Sequence, residues 1–182
     1  RRSLALPVTL LLAALAPLSY LVFAVLTGRT SANPAEDIIL TTGIWALRFL
    51  LASLAITPLR RLTGWHVLIQ YRRMLGLFAF FYACLHFATY IGLDLFFDFG
   101  AIGKDILKRP YITVGFLAFV IMVPLAATST AGMIRRLGKR WQQLHRLVYV
   151  AAIAGVIHFY WLVKADISRP AQYGGVVAIL VG

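Results

Sequence analysis

Acidic residues are scarce in this chain: 6 Asp and Glu stand against 18 Lys and Arg across 182 residues. A single cysteine, Cys84, excludes an internal disulfide and any cluster held by several thiolates, and it reads as a small buried thiol. No glycine-rich phosphate loop is present, and no soluble stretch between apolar runs exceeds about fifteen residues, so a nucleotide-binding fold has no room. Nor is there an activated nucleophile or a pair of catalytic carboxylates, so no catalytic residue is assigned. Without a linker or a second composition class, residues 1–182 are expected to form one domain.

What the chain has in excess is apolar surface. Hydrophobic residues make up 61%, where soluble domains sit nearer half. The excess falls in six runs, at about 4–26, 38–58, 74–97, 111–130, 142–163 and from 171 onward, and about 20 such residues suffice to cross a bilayer. The first run follows Arg1 and Arg2 as a secretory leader would, but its length exceeds the usual apolar core of about 7–15 residues, so it is expected to be a retained helix. The expected class is an all-α, six-helix integral membrane bundle.

The net charge of +12 is distributed by loop and is not a nucleic-acid footprint. Arg60, Arg61, Arg72 and Arg73 share one loop region without an acid, as do Arg135, Arg136, Lys139 and Arg140. The intervening loops are balanced: Arg29 by Glu36 and Asp37, Lys104, Lys108 and Arg109 by Asp94, Asp98 and Asp105, and Lys164 and Arg169 by Asp166. Cytoplasmic loops carry the Lys and Arg excess. Both termini are therefore expected on the cytoplasmic side. The longest outer segment, GLDLFFDFGAIGKDILKRPY, reads as an interfacial helix with aromatics at headgroup level. Pro7, Pro17, Pro58 and Pro124 are compatible with kinked spans and receive no functional weight.

Four histidines are present. His66 follows a Thr-Gly-Trp turn and reads as a solvated loop residue. The other three, His86, His145 and His158, lie within predicted spans, where ionisable groups are uncommon and point to function. His86 is thirteen residues in from Arg73, roughly 20 Å along a helix, and His158 is eighteen from Arg140 on a span of the same direction. They can therefore face each other in the outer half of the membrane, while His145 lies near the inner surface. Two imidazoles from different helices at one depth suit axial ligation of a haem iron; interhelical hydrogen bonding is the alternative. Zinc fits less well, since it needs three or four clustered ligands.

His145 and His158 are thirteen residues apart, which turns one about 140° from the other on a straight helix. Either the helix is distorted near Gly155 or His145 faces something else. One helical repeat below His86, where a second ligand is expected, stand Arg72 and Arg73, whose guanidinium groups cannot ligate iron. They suit an anion instead: a haem propionate, a flavin phosphate or a lipid headgroup. Arg48, midway through the second span, is expected to point inward toward a cofactor carboxylate or phosphate, with snorkelling or a wet pocket as alternatives.

The stretches ITPLRR, RRMLGL, ACLHFATY, RPYITVGF, ATST, RLGKRWQQLHRLVY and IHFYWLVK extend over nearly the whole chain. Together they resemble the haem-binding membrane subunits of bacterial methionine sulfoxide reductase systems, the MsrQ family, within the wider ferric reductase-like transmembrane group. The resemblance implies a multi-pass b-type cytochrome of the bacterial inner membrane, with haem b, FMN in some members, and membrane quinol as electron donor. The implied recipient is a periplasmic molybdopterin-containing subunit that reduces methionine sulfoxide in oxidised proteins. By position, His86 and His158 become the haem ligands, with His145 a further ligand candidate. Members of the wider group with two haems have a second histidine on the third span; its absence here leaves an inner haem open. Two other readings stand beside this one: a ferric-chelate or oxygen reductase supplied by a cytosolic flavin reductase, and a non-redox membrane protein with proton-sensing histidines.

Overall fold

A computed structural model describes residues 5–163 and 168–181. Arg1, Arg2, Lys164 and Asp166, on which part of the loop-charge reading rests, lie outside the described residues. The architecture is helical throughout these residues: α1 (Ala5–Leu26), α2 (Pro34–Thr63), α3 (Ile69–Thr89), α4 (Phe99–Lys108), α5 (Pro110–Ala127), α6 (Ala131–Leu137), α7 (Lys139–His145), α8 (Leu147–Leu162) and α9 (Ser168–Val181). A 3₁₀ turn at His66–Leu68 precedes α3, and a π turn at Tyr90–Asp94 follows it.

Five helical stretches are long and apolar enough to cross a membrane: Val8–Leu26, Pro34–Thr63, His66–Asp94, Pro110–Ala127 and Lys139–Leu162. They coincide with five of the six expected runs. The sixth corresponds to α9, described over 14 residues, about 21 Å of helix and short of a hydrocarbon core of about 30 Å.

Local chemistry sets where α2 begins and ends. Asn33 caps its first turn by accepting from the Glu36 amide, Pro34 occupies a position that needs no amide donor, and Glu36 and Asp37 sit at the positive end of the helix dipole. Arg60 and Arg61 lie in the last turn, and Gly64, at φ 71°, closes the helix in the left-handed conformation that glycine tolerates. The expected interfacial segment is α4, capped by Asp98 on the Ala101 amide.

Helix α2 packs chiefly on α3, and α5 on α8. Lipid offers little hydrophobic drive for helix association, so close packing of small residues matters. Ala79, Ala151 and Ala152 are almost fully buried in the shared core, beside Leu47, Leu50, Phe49 and Tyr82.

Tyr82 joins α1 to this core. Pro17 interrupts the α1 ladder, and the Tyr82 hydroxyl inserts into the gap: it donates to Ala14 O at 2.9 Å and accepts from Leu18 N at 3.2 Å. These backbone groups would otherwise bond each other. Tyr82→Phe is expected to destabilise the protein by about 1–3 kcal/mol, the cost of leaving buried polar groups unpaired. Thermal unfolding in detergent measures it; an unchanged midpoint would mean that the ladder closes by itself.

Candidate functional site

His86 lies near the C-terminal end of α3, and its Nδ1 is 2.9 Å from the backbone carbonyl of Ile39 on α2. His158 lies near the C-terminal end of α8, with its Nδ1 2.6 Å from the Tyr111 carbonyl in the first turn of α5. A carbonyl only accepts, so each Nδ1 carries the proton and donates. Each Nε2 is thereby left with its lone pair, the tautomer a metal-bound imidazole adopts when its other nitrogen is anchored by a carbonyl.

The two rings lie edge to face, with centroids 6.1 Å apart and planes 76° apart. A metal–imidazole bond of about 2 Å, with roughly 1.2 Å from ring nitrogen to ring centre, puts the centroids of two opposed ligands about 6.4 Å apart. The pair therefore has the separation that one iron between them requires.

Both rings line one cavity bounded by α2, α3, α5 and α8. Its walls are apolar, with Leu47, Ala83, Phe116 and Phe119 among them, and its charged groups are Asp94 and Arg109. Arg109 Nε pairs with Asp105 at 3.0 Å, and the Tyr90 hydroxyl donates to the other Asp105 oxygen at 3.1 Å. The donor set and the cavity fit a haem with its iron between His86 and His158.

His145 is placed apart from this pair. Its Nε2 is 3.0 Å from the Thr128 hydroxyl at the end of α5, and its ring stacks on Trp141 at 3.9 Å. The Thr128 hydroxyl also lies 2.6 Å from Pro124 O, which takes its proton, so His145 Nε2 donates and Nδ1 keeps the lone pair. The expected alternative of a distortion near Gly155 is not found. The backbone stays helical at Arg146, directly after His145 (φ −66°, ψ −25°), and Gly155 lies within α8, so the other alternative holds: His145 faces something else, the end of α5.

The arginines also separate. Arg72 donates to Thr57 Oγ1 at 3.1 Å and its charge acts on the His145 ring, while Arg73 is exposed. Arg48 does not point inward as expected. Leu47 and Leu50 fill the core-facing positions of α2 and turn Arg48 outward, where its Nε donates to the Tyr173 hydroxyl at 2.9 Å and its guanidinium lies over the Trp45 ring at 4.8 Å. A phenol and a ring face take the place of the expected anion. His66 is exposed in the 3₁₀ turn, and Cys84 is half-buried rather than fully buried. The carbonyls of Ile39 and Tyr111 and the hydroxyl of Thr128 were not expected from the sequence, since backbone acceptors carry no residue-type signal.

Residues 42–156 match the family described as the ferric reductase like transmembrane component. The chain is 56% identical over 175 residues to the protein-methionine-sulfoxide reductase heme-binding subunit MsrQ of Herminiimonas arsenicoxydans, covering 94% of this chain and 80% of that one. It is 58% identical over 155 residues to the MsrQ subunit of Rhodospirillum rubrum, with 85% and 74% covered, and 56% identical over 151 residues to that of Xanthomonas oryzae pv. oryzae, with 83% and 69% covered. No solved structure matches the chain.

Proposed function

Because the chain belongs to the ferric reductase-like transmembrane family, among the MsrQ heme-binding subunits, we propose that it is the b-type cytochrome of a methionine sulfoxide reductase system. It carries electrons from membrane quinol to a periplasmic molybdopterin-containing subunit that repairs oxidised proteins. One observation carries the haem assignment: two imidazoles on different spans, each anchored through Nδ1, have their centroids 6.1 Å apart, the separation of a shared iron.

His86 and His158 would hold the iron through Nε2. Bound there, haem supplies one-electron redox chemistry. The chain's own residues do the rest. The Ile39 and Tyr111 carbonyls fix ring tautomer and orientation, and the apolar walls keep water from the ligands. Arg109 and Tyr111, at the outer mouth, are suited to the carboxylates of the macrocycle. On the inner side, Arg72 and Arg73 are assigned to an anionic group, a second propionate pair or an FMN phosphate, and His145 to the inner end of the electron path.

In this reading α9 belongs to a sixth span, both termini are cytoplasmic, and the protein sits in the bacterial inner membrane, with α4 on the periplasmic side. The loop charges support that orientation. The test is an optical spectrum of detergent-purified protein, oxidised and dithionite-reduced. Low-spin b-type bands are expected; their absence overturns the assignment.

A further inference from the structure

The two halves of the haem cavity are copies of one design. Ile39, Gly43 and His86 recur as Tyr111, Gly115 and His158, a shift of 72 positions each time. The surrounding sequence follows the same shift: Thr41, Gly43 and Ala46 match Thr113, Gly115 and Ala118, while Ala79, His86 and Phe87 match Ala151, His158 and Phe159. In the first copy α2 supplies the carbonyl and α3 the histidine; in the second, α5 and α8 do so. Equivalent helices occur in the same chain order, so the copies are parallel repeats, of the kind related by an axis along the membrane normal.

Glycine is the repeated feature that the ligand set alone does not explain. Neither Gly43 nor Gly115 adopts a positive φ, so backbone freedom is not the reason for either. Space is. A Cβ on Gly43 would lie 3.0 Å from both Nδ1 and Cε1 of His86. On Gly115 it would lie 2.6 Å from His158 Nδ1 and 2.9 Å from Cε1 and Cγ. Real Cβ atoms essentially never approach as closely as at Gly115, and the contact at Gly43 is tighter than nine in ten of theirs. The same ring nitrogen donates to the carbonyl one turn earlier on the same helix, Ile39 for Gly43 and Tyr111 for Gly115. The missing side chain thus makes a notch that lets the imidazole lie flat enough on the neighbouring helix to reach that carbonyl.

We propose that Gly43 and Gly115 are positioning residues for the haem ligands, each a repeat-encoded notch that seats one imidazole against its backbone carbonyl and aims Nε2 at the iron. This rests on the bis-histidine reading above. It predicts an order: Gly115, with the closer approach, tolerates alanine less well than Gly43. Alanine is the better helix former, so propensity alone predicts the opposite sign, a gain in stability at both sites.

The experiment compares Gly43→Ala and Gly115→Ala with Gly76→Ala and Gly174→Ala, whose new Cβ atoms would meet their nearest neighbours at 3.5 Å and 3.7 Å, none of them a histidine. Haem per protein and the low-spin fraction are read by optical and electron paramagnetic resonance spectra. Gly115→Ala is expected to lose most of its low-spin signal, Gly43→Ala a smaller part, and the controls none. Wild-type spectra in both notch variants would overturn the proposal. A double-mutant cycle decides the case in which Gly115→Ala folds poorly. With the ring removed, Gly115→Ala/His158→Ala should match His158→Ala in yield and thermal midpoint; an equal further loss in the double variant overturns the notch. The cycle needs no haem, so a wild-type protein without haem bands would defeat the functional reading and leave this contact decided by the cycle.

Discussion

Replacing either His86 or His158 with alanine is expected to abolish the low-spin b-type haem. In the proposed site each ring would supply one nitrogen to the iron, and no other histidine or cysteine is among the described residues that line the cavity. Loss of an orienting partner to a metal-bound histidine costs about 10–100-fold in affinity; loss of the ligand itself is expected to cost more. Thermal stability should fall with it, because a group that binds only the folded state stabilises that state. If the two histidines merely tied helices together, their hydrogen bonds to Ile39 and Tyr111 would be lost without spectral consequence. Full retention of the low-spin bands in both variants would therefore refute the ligand pair. His86→Ala and His158→Ala should behave alike, since the two sites are built from equivalent parts.

The site was legible in the sequence where residue type and depth were enough. His86 and His158 are rare groups in apolar runs, and their distances from the basic loops set their levels. Five spans were legible for the same reason, and α4 from its mixture of acids, glycine and aromatics. The direction of Arg48 was not. A helix in lipid is apolar on all sides, so periodicity does not say which face meets the core; Leu47 and Leu50 claim that face, and only packing shows it. What His145 meets was not legible either, because the thirteen-residue spacing turns it away from His158 without naming its partner. Pro17 was visible, but its consequence depended on Tyr82, 65 residues away in the chain. The repeat was in principle legible, because Thr-x-Gly-x-x-Ala and His-Phe each occur twice at the same shift. Its meaning required seeing the rings against the glycines.

His145→Ala is expected to separate the two ends of the electron path. His145 and His158 are thirteen residues apart, roughly 20 Å along the helix, so His145 does not share the iron held by His86 and His158. Dithionite, a small reductant, should still reduce that haem in the variant and give the wild-type low-spin spectrum. Reduction by a quinol should slow by at least about tenfold, a barrier increase of roughly 1.4 kcal/mol. The reason lies in what the inner end offers: an imidazole with a free Nδ1, held by Thr128, stacked on Trp141 and acted on by the charge of Arg72. Among the described residues no other histidine lies at that depth, and Arg72 and Arg73 cannot substitute as ligands. Thr128→Val, which removes only the anchoring hydroxyl, should fall between wild type and His145→Ala. Running the same variants with NADH and a flavin reductase identifies the donor route: a loss confined to the quinol reaction places quinol oxidation at His145. An unchanged quinol rate in His145→Ala would move the electron entrance elsewhere, to the lipid-facing pair of Arg48 and Tyr173 as the next site to test.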